Sequence, residues 1–119
     1  MKRALLLVLM VMSFHLQAAD TGNDLLEECN KAINWKANSA SADLMQAAKC
    51  LAFLDGLASM QDILVQVREA EPLFFRPDGA TRGQASRVVK KYLDDNPQEL
   101  HEDKAVLAVM ALMGAFPCE

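Results

Sequence analysis

The three cysteines carry the most distinctive chemistry in this chain. Cys29, Cys50 and Cys118 are separated by 21 and then 68 residues. Zinc sites usually combine close cysteine pairs with histidines, and no close pair is present, so we do not expect a metal. In an oxidising compartment cysteines form disulfides, and an odd count leaves one thiol over.

Other reactive side chains give no catalytic pattern. The acid pairs Glu27–Glu28 and Asp94–Asp95 are adjacent in sequence, and adjacent helical residues do not face each other as a general acid and base would. His101 lies where a helix is expected to begin, which favours a capping or solvated role. The sequence has no Gly-x-Ser-x-Gly, His-Glu-x-x-His or glycine-rich phosphate loop. We therefore predict a binding protein without cofactor, not an enzyme.

The first 20 residues, MKRALLLVLMVMSFHLQAAD, have the layout of a secretory signal peptide. Lys2 and Arg3 precede an apolar run from Ala4 to Met12, and small residues follow. A membrane helix would need about 20 apolar residues. We predict that residues 1–18 are cleaved, which leaves residues 19–119 as a single exported domain.

The net charge argues against nucleic acid as a partner. Loss of Lys2 and Arg3 takes the formal charge from −4 to −6, and phosphate binding needs a face rich in lysine and arginine. An acidic domain suits solubility or a basic partner.

The exported part is rich in strong helix formers and shows no strand-like alternation of β-branched residues. We expect an all-α fold, a compact disulfide-stabilised bundle of about four helices. They are placed at residues 23–33 with Thr21 or Asn23 as cap, 42–68 with Ser39 or Ser41 as cap, 81–96 with a capping box between Thr81 and Gln84, and 102–115.

Two features of the helices have more than one interpretation. Gly56 costs the second helix about 1 kcal/mol relative to alanine, and we interpret it as a point of close helix–helix approach, with a kink as the alternative. Met45, Met60, Met110 and Met113 are interpreted as core fillers, with a methionine-rich contact surface as the alternative.

Several segments together resemble the Rap/Tai family of immunity proteins. These are CLAFLDGLASM (residues 50–60), FRPDGATRGQASRVVKKYLDDNPQELHEDKAVLAVMAL (75–112) and FPC (116–118). The shared order is a cysteine-led helix with a glycine six residues on, a Pro-x-Gly turn, a helix ending in Tyr-Leu-x-x-x-Pro, and Phe-Pro-Cys. The similarity extends from about Asp24 to Cys118.

The resemblance implies a periplasmic, all-helical protein. Family members studied as immunity proteins bind and occlude peptidoglycan amidases delivered by type VI secretion, often as dimers. The implied partners are thus a cell-wall amidase effector and a second copy of the chain, with no nucleic acid and no membrane after processing.

The sequence departs from the family pattern at two places. Ala52-Phe53 stands where Gly-Tyr is common, and Phe75 stands where a fourth cysteine usually precedes the Pro-x-Gly turn. We interpret Phe75 as an aromatic that fills the space of a lost disulfide. The alternative is that Phe74 and Phe75 are an exposed contact.

Three disulfide pairings are open for three cysteines. If the second and fourth helices run antiparallel, Cys50 near the start of one meets Cys118 past the end of the other. A similar bridge occurs in periplasmic acid-stress chaperones, whose fold the chain loosely resembles. We predict a Cys50–Cys118 disulfide and a free Cys29.

The connection between the second and third helices, residues 69–82, is the candidate partner-binding surface, because loops on rigid scaffolds often carry binding. The candidate contacts are Arg68, Glu69, Glu71, Phe74, Arg76 and Asp78. Solvated charges on an ordinary connection are the alternative. Two other functions fit this composition: an acid-stress-type periplasmic chaperone, and an envelope accessory protein of the same fold.

Overall fold

Four α-helices make up most of residues 20–118, the part of the chain that the computed structural model describes. The helices are α1 (Gly22–Asn34), α2 (Ser41–Arg68), α3 (Arg82–Asp95) and α4 (Lys104–Ala115), and a 3₁₀-helix, η1 (Pro97–Glu99), lies between the last two. The predicted all-α, four-helix fold is confirmed. The predicted signal peptide lies outside the described residues.

Polar side chains satisfy the first backbone groups of three helices. The predicted capping box of α3 is confirmed, since the Thr81 N–H donates to Gln84 Oε1 at 2.8 Å and the Gln84 N–H donates to Thr81 Oγ1 at 3.1 Å. Asp24 accepts from the Thr21 N–H at 2.7 Å, and Asp103 Oδ1 accepts from two N–H groups at the start of α4. The predicted cap of α2, Ser39 or Ser41, is wrong. Ala40 occupies the cap position, and Ser39 Oγ accepts from the Lys36 N–H in the preceding turn.

The core lies where α1 packs against α2 and α3, and α4 packs against α3. α3 contributes Val89 and Leu93, both at most 1% exposed. The remaining members of the core are Leu25, Cys29, Cys50, Leu54, Phe74, Leu107, Ala108, Ala111 and Leu112. Burial of these side chains is the main stabilising term of the fold.

The disulfide joins Cys29 of α1 to Cys50 of α2, with Cα atoms 5.0 Å apart. Cys118 is free and exposed, so the predicted Cys50–Cys118 pairing with a free Cys29 is wrong. The reason is the packing order. α2 makes its main contact with α1, its neighbour in sequence, and only a minor one with α4. The two cysteines therefore meet inside an α1–α2 hairpin.

The second half of α2 is largely exposed. α2 has 28 residues, whereas its neighbours have 12 to 14, and its buried residues are Ala47, Cys50 and Leu54, all in the first half. A helix about 42 Å long extends beyond partners of half its length.

Two interpretations of the sequence are therefore wrong. A Cβ at Gly56 would meet nothing within 4 Å, so no close helix approach occurs there among residues 20–118. The four methionines interpreted as core fillers, Met45, Met60, Met110 and Met113, are between 43% and 63% exposed.

A small ion cluster ties the segment before α1 to the start of α4. Lys104 Nζ lies 2.8 Å from Asp20 Oδ2 and 3.6 Å from Glu28 Oε2, and 4.6 Å from the centre of the Phe53 ring. Glu28 is only 4% exposed, and its Oε2 has no hydrogen-bond partner in the part of the chain that the structure describes. Burial raises the pKa of Glu28, whereas the hydrogen bond and the charge of Lys104 lower the pKa of Asp20.

Candidate partner-binding surface

The 69–82 connection begins with a reversal of the backbone at the end of α2. Glu69 adopts the left-handed conformation, with φ 53° and ψ 30°, and its N–H caps the helix at the Leu64 carbonyl. A left-handed residue after the last helical turn ends the helix and satisfies its free carbonyls. The reversal turns residues 70–76 back along α2.

One glutamine side chain fixes the middle of the connection. Gln61 Oε1 accepts from the N–H groups of Leu73 and Phe74 at 2.9 and 3.1 Å, and Gln61 Nε2 donates to the Phe74 carbonyl at 3.0 Å. Both polar atoms of the Gln61 amide group, Oε1 and Nε2, therefore form hydrogen bonds with the connection. The returning chain runs along a helix and not along a strand that could pair with it. The Gln61 side chain therefore supplies the hydrogen-bond partners that the backbone of Leu73 and Phe74 needs.

The adjacent phenylalanines point in different directions. Phe74 is 4% exposed and belongs to the core, whereas Phe75 is 57% exposed. The Phe75 N–H donates to the Phe116 carbonyl at 2.8 Å, which brings the connection against the end of α4. The interpretation of Phe75 as a space filler is therefore wrong, because its ring is largely exposed. Phe74 is a poor candidate for a partner contact, because the core already covers it.

The connection then passes through the predicted turn into α3. The Ala80 N–H donates to the Pro77 carbonyl at 3.0 Å, and Gly79 has φ 81°, a conformation that glycine adopts without steric cost. Two ion pairs join this part to α2. Arg76 Nη2 lies 2.9 Å from Asp62 Oδ2, and Arg82 Nε lies 3.8 Å from Asp55 Oδ1. Such exposed pairs contribute little stability, but they hold two arginines at the same face of α2.

A concave cavity of about 400 Å³ lies between α2, the connection and the end of α4. Its walls are mostly apolar, with Phe75 and the two arginines among the lining residues. The lining side chains include Leu54, Ala58, Phe74, Phe75, Ala80, Leu112 and Phe116, together with Asp55, Arg76 and Arg82. An apolar recess with a few convergent polar groups is typical of binding sites.

Five of the six predicted contact residues are exposed: Arg68, Glu69, Glu71, Arg76 and Asp78. Only Arg76 among these five lines the cavity. Sequence reasoning missed Leu73 and Arg82, which are also exposed on the connection, and it missed the role of Gln61. It left the exposed Phe75 out of the candidate contacts, although an exposed contact was the alternative interpretation of that residue.

No cluster of three or more histidine, cysteine or acidic side chains that could hold a metal ion occurs among residues 20–118. The cavity is an apolar recess with an exposed aromatic ring and arginines beside it. Aromatic residues and arginine are the side chains that contribute most to binding at protein interfaces.

Comparison with known proteins identifies the family. A family model described as Rap1a immunity proteins matches residues 21–118, which include all four helices, the disulfide and the 69–82 connection. No curated protein and no solved structure gives a significant match. Because the family model covers nearly the whole described chain, this protein belongs to the family of Rap1a immunity proteins.

Proposed function

We propose that this protein is a periplasmic immunity protein that binds a peptidoglycan amidase delivered by type VI secretion and blocks its active-site cleft. The observation that carries the proposal is the family match over residues 21–118. The amidase and the delivery route come from the sequence resemblance to the Rap/Tai family. Neutralisation by binding also agrees with the absence of a catalytic motif from the sequence.

Two features support export to the periplasm. The first 18 residues have the layout of a cleavable signal peptide, and Cys29 and Cys50 form a buried disulfide, which persists in oxidising compartments. An enzyme that cleaves peptidoglycan acts on the same side of the inner membrane, so inhibitor and target would meet there.

We assign effector binding to the contact surface formed by the 69–82 connection and its cavity. Gln61, the turn and the Phe75–Phe116 hydrogen bond hold the connection in place, so little conformational entropy is lost on binding. Phe75 and Arg76 are adjacent, exposed and beside the cavity. They would insert into or cover the cleft of the effector, with Glu69, Glu71 and Asp78 at the rim. As the resemblance implies, the protein would act as a homodimer, which presents this contact surface twice.

A protection assay in the periplasm tests the proposal. The effector amidase is produced with its own signal peptide together with wild type, a Phe75→Ala/Arg76→Ala variant, or His101→Ala as the control. His101 is as exposed as the changed residues but lies outside the contact surface. Wild type and His101→Ala should prevent lysis, and the double variant should not. Lysis in the presence of folded wild type would contradict the immunity function, whereas full protection by the double variant would contradict only the assigned surface.

A further inference from the structure

The cavity beside the 69–82 connection is lined by small side chains from three different elements. Ala58 of α2, Ala80 of the connection and Ala85 of α3 all line it, and each of them is half-buried. The core residues Leu54 and Leu112, which are 3% and 4% exposed, line it as well. Because protein interiors are close-packed, a space of about 400 Å³ persists only where such small side chains meet.

The elements that carry the three alanines are fixed to one another. The hydrogen bonds of Gln61 hold the connection to α2, and the Ala80 N–H donates to the Pro77 carbonyl at 3.0 Å. Thr81, which also lines the cavity, belongs to the capping box at the start of α3. The cavity therefore has its shape before a partner arrives, which reduces the entropy lost on binding.

An apolar cavity of this size can accept a whole side chain. A cavity of about 150 Å³ lined by aliphatic and aromatic residues already binds benzene, and this one is more than twice as large. Asp55, Phe75 and Arg82 line it and are themselves exposed, so the cavity opens to solvent at these residues. A partner can therefore place a side chain inside while its backbone stays outside.

The two arginines at the opening differ in their pairing. Arg76 Nη2 donates to Asp62 Oδ2 at 2.9 Å, whereas Arg82 Nε is 3.8 Å from Asp55 Oδ1, which is too far for a hydrogen bond. The Arg82 side chain is 66% exposed, and a guanidinium binds a carboxylate through two parallel hydrogen bonds. The opening is therefore complementary to a carboxylate that accompanies an apolar side chain.

We propose that the cavity receives an aromatic or branched aliphatic side chain of the effector, and that an effector carboxylate beside this side chain pairs with Arg82. This inference rests on the proposed function and deepens it, because it names the chemistry of the partner at the same surface. The contact is then reciprocal: Phe75 enters the cleft of the effector, and an effector side chain enters the cavity. Residues that dominate binding on one partner tend to meet such residues of the other.

The position of the cavity favours the effector over a free small molecule. Phe75 and Arg76 line the cavity and are also the central residues of the contact surface, so a protein that covers these two residues also covers the opening. A covered but empty cavity would forfeit the contacts that its lining can make. An effector side chain inside it supplies those contacts.

Reducing the cavity from within tests the proposal. Ala58→Leu and Ala85→Leu each place a larger side chain in it from a different helix, and Ala52→Leu, at an exposed position of α2 outside the cavity, is the control. We expect both filling variants to bind a candidate amidase effector at least about tenfold more weakly than wild type, and Ala52→Leu to bind as wild type does. Thermal unfolding checks each variant, since filling a cavity commonly stabilises a fold.

Arg82→Gln tests the charged part of the contact. Arg87→Gln is the control, because Arg87 is also exposed on α3 but does not line the cavity. We expect Arg82→Gln alone to weaken effector binding, by about tenfold, and to make the affinity less sensitive to salt. The same affinity and salt dependence in Arg82→Gln and wild type would overturn the carboxylate contact.

A small probe tests the cavity without the effector. N-acetyltryptophan carries an aromatic ring and a carboxylate, and its amide derivative has the ring without the charge. We expect N-acetyltryptophan to shift the amide NMR signals of Ala80 and Ala85 with an affinity on the order of millimolar. The amide derivative should bind more weakly, and Ala58→Leu should bind neither compound. No shift with either compound in wild type would overturn the proposal.

The remaining outcomes separate this inference from the immunity function. Unchanged amidase affinity in both filling variants would overturn the inference and leave the immunity function intact. Wild type that binds the probe but no amidase would contradict the immunity function, and with it the effector as the occupant. A small molecule that copurifies with wild type but not with Ala58→Leu, as native mass spectrometry would show, would overturn the inference as well.

Discussion

Gln61 and Phe74 are joined by two hydrogen bonds, through which one side chain of α2 satisfies both backbone polar groups of a residue 13 positions away. A third bond holds the neighbouring Leu73 N–H. We expect Gln61→Ala to reduce the free energy of unfolding by about 2–3 kcal/mol, since each hydrogen bond contributes about 1 kcal/mol.

Urea unfolding measures this loss, with Gln66→Ala on the exposed part of the same helix as the control. Amide hydrogen exchange gives a more local readout, because the N–H groups of Leu73 and Phe74 should exchange faster in Gln61→Ala only. Unchanged exchange at both residues would contradict the role given to Gln61.

The two adjacent phenylalanines should respond oppositely to substitution. Phe74 is 4% exposed, so Phe74→Ala should destabilise the fold by about 3–5 kcal/mol through the cavity that it leaves. Phe75 is 57% exposed, so Phe75→Ala should change stability by less than about 1 kcal/mol and act on effector affinity instead. Thermal unfolding and effector titration of both variants separate these effects. Similar destabilisation by the two substitutions would be inconsistent with the structure.

The disulfide pairing is open to direct chemical test. Alkylation of the unreduced protein should modify Cys118 and neither Cys29 nor Cys50, as peptide mass spectrometry would show. Replacing both bridged cysteines with serine should cost about 3 kcal/mol, because the bridge closes a loop of about 20 residues in the unfolded chain, whereas Cys118→Ser should be close to neutral. Alkylation of Cys29 would restore the pairing predicted from the sequence.

The two acids beside Lys104 should affect the pH dependence of stability in opposite directions. The pKa of folded Glu28 is raised above its ordinary value of 4.5, so its contribution to stability is fully present below about that pH and is lost as pH rises through the raised pKa. Glu28→Gln, which has no charge to bury, should therefore gain stability over wild type at pH 7 but not at pH 4.

The pKa of Asp20 is lowered from 3.8, so its contribution is present above that pH and is lost as pH falls through the lowered pKa. Asp20→Asn should be less stable than wild type at pH 7 and equal to it at low pH. Urea unfolding at several pH values measures both variants. Curves that stay parallel to that of wild type would rule out this account of the cluster.

Local signals in the sequence were sufficient to predict the helices. Thr81 and Gln84 marked the start of α3, and the strong helix formers without strand-like alternation indicated an all-α fold. The disulfide was predicted wrongly because sequence periodicity does not say which helices are neighbours. Cys29 lies six residues before the 35–40 connection begins and Cys50 ten residues after it ends, and this closeness to one connection was the available signal for a bridge inside a hairpin.

The surface could be predicted only in part. The 69–82 connection was identified by its charges and aromatic residues, but which of Phe74 and Phe75 is buried depends on the direction of the returning chain. That direction is set by Gln61 and by the Phe116 carbonyl, both distant in sequence. The exposure of Met60 and Ile63 depends on the length of α2 relative to its neighbours, which apolar periodicity does not reveal.

The most direct test of the immunity function is calorimetric titration of the mature, disulfide-intact protein with a candidate peptidoglycan amidase effector from the same host, while cell-wall hydrolysis is followed in parallel. We predict binding on the order of nanomolar, with hydrolysis lost at equimolar protein. No binding, or binding that leaves hydrolysis unchanged, would contradict the proposal that this chain protects its host by blocking an amidase.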